Sequence, residues 1–291
     1  MRRFGTGLFI AAVDLYKARA AFGRLPPPGV RRGEMRPTRQ SLWHDGSERN
    51  IGMEVALSVV VPVKDEAGNA APLAREIAAA LSGERAEIIF VDDGSADGTA
   101  AELLAQKESM PALRVLQHGR NIGQSRAIRT GVRSARGAVI VTLDGDGQND
   151  PADIPRVLAA LRAGGNNLGL VSGIRQHRQD NAKKKWASGF ANGFRSWMLK
   201  DGAVDAGCGL KAFRRDVFLD LPYFDHMHRF LIALVRREGY DVAFIPVNHR
   251  PRMRGQSKYN NFHRAVVGLA DTFGVRWLQR RFKGAVEPKE I

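Results

Sequence analysis

At 291 residues, 44% hydrophobic and 26% charged, the chain has room for one large or two small domains of ordinary globular composition. Its 45 Lys and Arg against 30 Asp and Glu leave +15, which suggests a polyanionic partner: nucleic acid, an anionic membrane surface or a phosphorylated substrate. The lone Cys208 excludes an internal disulfide and a multi-cysteine zinc site, and no run reaches the roughly 18–20 apolar residues that span a bilayer, so any membrane would be met from its surface.

Residues 1–53 contain "RAAFGRLPPPGVRRGEMRPTRQ", rich in Arg and Pro with no sustained apolar period. They are expected to form a basic, disordered N-terminal extension, with Met35 and Met53 as alternative starts. From Leu57 the pattern becomes regular. The runs "LSVVVPV", "EIIFVDD", "LRVLQH", "AVIVTLD" and "LGLVSG" read as strands. Helices are expected between them, over Asn69–Leu81, Asp97–Gln106, Gln124–Ala135 and about Asp153–Arg162. Strands alternating with helices of this length predict an α/β fold, a mostly parallel central sheet with helices on both faces. One domain is expected over 54–258, followed by a C-terminal amphipathic helix and tail, 259–291. Ligands in such sheets bind outside the carboxyl ends of the strands.

Two strands end there in paired acids. "FVDDGSADGT" places Asp92 and Asp93 before a Gly-Ser turn, and "VTLDGDGQNDP" gathers Asp144, Asp146 and Asp150. Either motif alone is compatible with turn and N-cap chemistry. Together they suggest a hard cation, Mg²⁺ or Mn²⁺, which one or two carboxylates hold jointly with substrate phosphates. In that reading the metal bridges Asp146, Asp144 through water, and a diphosphate.

"SVVVPVKDEAGN", "VDDGSADGT" and "LDGDGQNDP", in this order and spacing, resemble family-two glycosyltransferases of the GT-A fold, and within them the dolichyl-phosphate mannosyltransferase group, which loads a sugar onto a polyprenyl phosphate. The resemblance covers roughly Leu57–Leu278. It implies that Pro62 and Glu66 frame the nucleotide, that Asp92 and Asp93 hold base and ribose, and that Asp144, Asp146 and Gln148 serve the metal and sugar. Asp65 departs from the Asn usual in the family. "RPRMRGQSKY" matches the R-x-x-G-x-S-K pattern of the polyprenyl-phosphate enzymes: Arg252, with Gly255, Ser257 and Lys258, would close over the diphosphate. "SGIRQHR", "DAGCGLKAFRR" and "HMHRF" resemble the acceptor region, so Arg175, Lys211 and Arg229 are expected at the acceptor phosphate, Lys211 where many relatives have Arg. Cys208 reads as a packed small residue, and neither His226 nor His228 as a metal ligand.

Two aromatic stripes bear on the membrane. Trp186, Phe190, Phe194 and Trp197 follow Lys183–Lys185, and Phe262, Val266, Leu269, Phe273 and Trp277 line the last helix ahead of Arg276, Arg280, Arg281 and Lys283. Periodicity allows either interfacial amphipathic helices or packing on the sheet.

The resemblance thus implies an inverting glycosyltransferase, peripheral on the inner face of the cytoplasmic membrane. It would move a hexosyl group, with GDP-mannose the leading donor, to a polyprenyl (dolichyl or undecaprenyl) phosphate. The alternatives are a UDP-sugar donor (glucose, amino sugar or uronic acid), a lipid hydroxyl acceptor, an idle nucleotide-binding scaffold, and a basic nucleic-acid-binding protein. The last is disfavoured by the absence of a recognition motif, so no nucleic-acid partner is expected.

Overall fold

A computed structural model of the chain describes residues 55–176, 193–251 and 261–284, with the backbone path alone for 261–266. The expectations for residues 1–53, Lys183–Lys185, Trp186, Phe190, Arg252, Gly255, Ser257, Lys258 and the side chains of Phe262 and Val266 fall outside what is described.

Seven strands are described: β1 (Leu57–Val63), β2 (Ala86–Asp92), β3 (Leu113–Gln117), β4 (Val139–Thr142), β5 (Leu168–Arg175), β6 (Lys211–Arg214) and β7 (Asp241–Val247). They form one sheet in the order β3-β2-β1-β4-β6-β5-β7. Every pairing is parallel except those of β6, which runs antiparallel to both β4 and β5. The described helices are α1 (Ala70–Ala80), α2 (Thr99–Ser109), α3 (Gln124–Ser134), α4 (Ile154–Ala163), α5 (Arg215–Asp220), α6 (Leu231–Arg237) and α7 (Asn261–Arg281), with a further helical stretch at 193–199.

All seven residues of β1 are buried, because both faces of the sheet are covered. Leu57, Val59, Val61 and Val63 pack with Leu73, Ala74 and Ile77 of α1, Leu103 of α2 and Val157, Leu158 and Leu161 of α4. Val60 points the other way, into a second core with Ala127, Ile128 and Val132 of α3 and residues of α5 and α6. The period-2 strand and the i, i+3, i+4, i+7 spacing of Ala70, Leu73, Ala74 and Ile77 are therefore two halves of one interface.

The five expected strands and four expected helices form with ends within about three residues of the expected ones. β6 and β7 were not expected. "KAFR" is four residues with charged ends, and "DVAFIPV" carries a proline, which an edge strand such as β7 tolerates.

Candidate active site

The loops leaving β1, β2, β4 and β5 share the carboxyl edge of the sheet. Antiparallel β6 brings its first residue, Lys211, to the same edge, between Thr142 of β4 and Ser172 of β5.

After β2 the two acids are closed into the framework. Asp92 is wholly buried. Its Oδ1 accepts from the Ser95 backbone N at 2.9 Å and from Ser95 Oγ at 2.5 Å, and its Oδ2 from the Gln117 amide at 3.0 Å. Asp93 accepts from the backbone N of Ile122 (3.0 Å) and Gly123 (2.8 Å) and lies 2.8 Å from His118 Nδ1, whose Nε2 meets Thr130 Oγ1 at 2.9 Å. These bonds tie the β2 exit to β3 and to the start of α3. Gly94 completes the turn at φ +71°, where a Cβ would stand 2.6 Å from the Arg120 carbonyl carbon. A cleft of about 320 Å³, lined by Gly94, Ser95, Gln117, His118 and Gly119, opens beside them. Asp92 and Asp93 build its frame, and their oxygens are engaged by the protein.

The β1 exit is laced to the same turn. Lys64 Nζ donates to Gly94 O (2.9 Å), the Asp65 N to Ser95 Oγ (2.8 Å), and the Ala96 N to Asp65 Oδ1 (2.8 Å). Asp65 sits at φ +50°, a conformation that Asp tolerates better than most residues, and its carboxylate serves as a local acceptor. The Glu66 N donates to Thr99 Oγ1, and Glu66 Oε2 accepts from Asn69, both at 2.8 Å. Pro62 pairs with Val91 in the sheet, one residue short of the strand end.

The β4 exit is different. Asp144 Oδ1 accepts from the side chain of Gln124, the first residue of α3, at 2.9 Å, and the Asp144 N donates to Asn149 Oδ1 at 3.0 Å. A Cβ on Gly209 would lie 2.3 Å from Asp144 Oδ2, so only glycine lets that backbone approach the carboxylate. Burial and then the neighbouring charge of Asp146 push the Asp144 carboxyl up to about 6, although Lys211, Arg175 and Gln124 pull the other way. Asp146 Oδ1 accepts from the Gln148 N at 3.1 Å. The Gln148 side chain reaches the Arg250 carbonyl at 3.5 Å. Asp150, the third acid of the motif, has its own counter-charge: Arg250 Nη2 donates to it at 2.6 Å while its carboxylate caps Ala152 at 3.0 Å. The motif thus divides into a mutually repelling pair and a structural tie.

No group of three His, Cys, Asp or Glu able to hold a metal occurs among the described residues. The Asp144–Asp146 pair, its repulsion only partly offset by Lys211 and Arg175, fits a hard cation that shares its coordination with substrate oxygens rather than one caged by protein.

The basic side faces this pair across β6. Lys211 is buried, and its Nζ donates to the Cys208 and Ala206 carbonyls; burial lowers its pKa, against the pull of Cys208, Asp144 and Asp205. Burial works against the charge of Arg175, but the bonds and charge of Asp205 outweigh it and hold the guanidinium above its usual pKa. Cys208 is fully buried, and that burial raises its thiol. Arg229 lies in the Met227–Arg229 turn, where its charge acts on Asp271 of α7. His226 Nδ1 is 3.5 Å from Asp271 and His228 Nδ1 2.7 Å from Ser125 Oγ.

Sequence reasoning missed Gln124, Asn149 and Asp205. Asn149 stood in plain view inside "DGDGQND". Gln124 had one signal, the start of a helix at the carboxyl edge of the sheet.

The described part of the last helix shows which side of it is covered. Thr272 and Val275 are buried and Gln279 donates to the Leu199 carbonyl at 3.0 Å, while Leu269 (46%), Phe273 (55%) and Trp277 (57%) are exposed. Trp197, 74% exposed, stands on the stretch that Gln279 grips. Arg280, Arg281 and Lys283 are exposed too. No described helix is long and apolar enough to cross a membrane.

Comparison with known proteins bears on the family and the fold. Residues 58–221 match the family model of glycosyl transferase family 2. The chain is 36% identical over 226 residues to a dodecaprenyl-phosphate galacturonate synthase of Rhizobium johnstonii, covering 75% of this chain and 64% of that one. It is 35% identical over 207 residues to an undecaprenyl-phosphate 4-deoxy-4-formamido-L-arabinose transferase of Edwardsiella ictaluri, covering 70% and 62%. The chain spans less than two thirds of the length of either relative. Glucosyl-3-phosphoglycerate synthase from Mycobacterium tuberculosis, in complex with Mg²⁺ and UDP, has a similar structure, with a TM-score of 0.60 at 18% identity over 75% of this chain and 79% of that one. That likeness bears on the fold, which is the expected GT-A arrangement.

Proposed function

The chain belongs to glycosyl transferase family 2, and on that premise we propose that it transfers a sugar from a nucleotide-diphosphate donor to a polyprenyl phosphate. The observation that carries the reading is the meeting, at one edge of the sheet, of an under-compensated aspartate pair with half-buried Arg175 and buried Lys211, whose charges both act on Asp144. Carboxylates there would hold Mg²⁺ or Mn²⁺, and the cations an anionic acceptor.

The acceptor chemistry follows from the same charges. A phosphate monoester has a second pKa of roughly 6 and attacks as an anion, so no side chain need remove its proton. Arg175 and Lys211 would hold it for in-line attack that inverts the anomeric carbon. Asp144 and Asp146 would hold the cation which, when bound, neutralises the departing diphosphate. Asp92 and Asp93 would keep the 320 Å³ cleft in shape for the nucleoside, with Pro62 and Glu66 at its border. Gln148 would steady the loop between Asp146 and Arg250. Arg229, Arg252, Ser257 and Lys258 keep the parts the family resemblance assigns them.

The donor favoured is a UDP-sugar of the uronic-acid or amino-sugar kind, since the relatives named above carry galacturonate and a formamido-arabinose in their names. GDP-mannose, the leading donor from sequence, loses ground to that alternative. The outward stripe Leu269–Phe273–Trp277, with Trp197 beside it and Arg280, Arg281 and Lys283 at its end, would seat the protein peripherally on an anionic membrane face. Trp277→Ala with Phe273→Ala should weaken binding to phosphatidylglycerol vesicles about tenfold and leave the melting temperature unchanged, because both side chains are exposed.

The deciding experiment is nucleotide release with Mg²⁺ or Mn²⁺ across a panel of UDP- and GDP-sugars, with and without a short polyprenyl phosphate. Release that needs both the lipid and one donor is expected. Donor binding without lipid-dependent release would remove the phosphate acceptor from the account.

A further inference from the structure

Arg175 does not stand free in the site. Its Nε and Nη2 donate to Asp205 Oδ2 and Oδ1, both at 2.7 Å, and its backbone N donates to Oδ2 at 3.2 Å. One carboxylate thus holds the end of β5 and the guanidinium that issues from it. Asp205 lies outside any helix or strand, is nearly buried, and is held ionised below the usual carboxylate range: burial opposes this, and the bonds and charge of Arg175 prevail. Its carboxylate has no hydrogen bond to any other described residue. Next to it, Gly207 leaves the room this pairing needs, for a Cβ there would sit 3.1 Å from Arg175 Nη2.

A guanidinium carries five N–H donors in a planar fork. The side-on pair uses the Nε–H and one Nη2–H and leaves the end edge, one hydrogen each of Nη1 and Nη2, for another oxyanion. Because the group is planar, fixing one edge fixes the direction of the other. We propose that Asp205 is a positioning residue: it pre-orients Arg175 so that the remaining edge receives the phosphate of a polyprenyl phosphate. This rests on the acceptor reading above. Asp205 also gives the half-buried Arg175 guanidinium a counter-charge of its own, so it can be held in place before any substrate arrives.

A second ion pair nearby serves as a control. Arg195 Nη1 donates to Asp201 at 2.7 Å, more deeply buried than the Arg175–Asp205 pair, and neither residue is among the charges that act on Asp144. Asp201→Asn therefore reports what the loss of a purely structural pair does.

The test measures the Kd of farnesyl phosphate in the presence of UDP and Mg²⁺, and its KM where turnover is seen, for the wild type, Asp205→Asn, Asp205→Glu, Gly207→Ala and Asp201→Asn. Asp205→Asn should raise Kd and KM for the lipid at least tenfold with the donor KM within twofold. Asp205→Glu should recover part of the loss, and Gly207→Ala, whose backbone is ordinary, should raise the lipid KM several-fold without unfolding. Asp201→Asn should lower stability alone. Equal behaviour of Asp205→Asn and Asp201→Asn, or tighter lipid binding by Asp205→Asn, overturns the proposal. A wild type that binds no farnesyl phosphate sinks the acceptor reading itself. In that event the Arg175 Nε–H resonance, slow to exchange in the wild type and fast in Asp205→Asn, still decides whether Asp205 orients the guanidinium.

Discussion

The exits of β2 and β4 look alike in sequence, each a buried strand running into two aspartates and a glycine, yet they are opposites in the structure. Asp92 and Asp93 find donors in Ser95, Gln117, Ile122 and Gly123, with His118 against Asp93, so their charge is absorbed where it stands. Asp144 and Asp146 find one donor each from Gln124 and the Gln148 backbone, and the carboxyl of Asp144 rises to about 6. A satisfied acid holds a fold together. An acid left wanting a positive charge is available for chemistry.

That contrast makes opposite forecasts for activity and stability. The largest effect is expected from Asp146→Ala: transfer should fall at least a hundredfold, even at saturating metal and donor, while the melting temperature stays within about 2 °C. Full transfer by this variant would erase the distinction from the functional side. Asp93→Ala should instead cost roughly 2 kcal/mol of stability in urea unfolding, because it removes the acceptor of the Ile122 amide, one of two acceptors of the Gly123 amide and the partner of His118. A loss below about 1 kcal/mol would erase it from the structural side.

Asp144 sharpens the comparison through pH. Its folded pKa lies above the ordinary 3.8, so the fold favours the protonated form. In EDTA, stability from this group is fully present below about pH 4 and is lost as pH rises through about 6. Asp144→Asn should remove that slope and stabilise the metal-free protein at pH 7.5 by about 1–3 kcal/mol. Mg²⁺ should bind more weakly as pH falls below 6, and a flat pH profile of metal-free stability would contradict this placement of the carboxyl. The smallest effect is Ser95→Ala, about 1–2 kcal/mol by thermal unfolding for the lost bond to Asp92 and the lost acceptor of the Asp65 amide, with little change in transfer.

Local patterning carried most of the fold, since β1 and β2 announce buried strands by continuous apolar runs and α1 a buried face by its period. Long-range pairing carried the rest, and it was not legible. Asp150 read as part of an acidic cluster until Arg250, a hundred residues on, proved to be its partner. Arg175 read as a cation aimed at substrate, and nothing in "SGIRQHR" names Asp205 as the acid that holds it. The spacing of Leu269, Phe273 and Trp277 fits either face of a helix, and only the burial of Thr272 and Val275 shows which one turns outward. Residue types and motif order pointed to the candidate site, while partner choice depended on the folded chain.

The reversed strand β6 has a consequence for the order in which the molecule assembles. β4 carries the acids, β5 carries Arg175, and the two never pair directly; Lys211–Arg214 lies between them. Strands β1 to β4 can gather from neighbouring βα units, so the nucleotide half has a local route to its structure. The acidic and cationic halves meet only when a segment made some seventy residues after β4 inserts into the gap, a contact of long loop closure and hence a late one. This late strand is the one that joins the two halves of the candidate site, so a chain stalled short of residue 211 would carry the cleft and lack that junction.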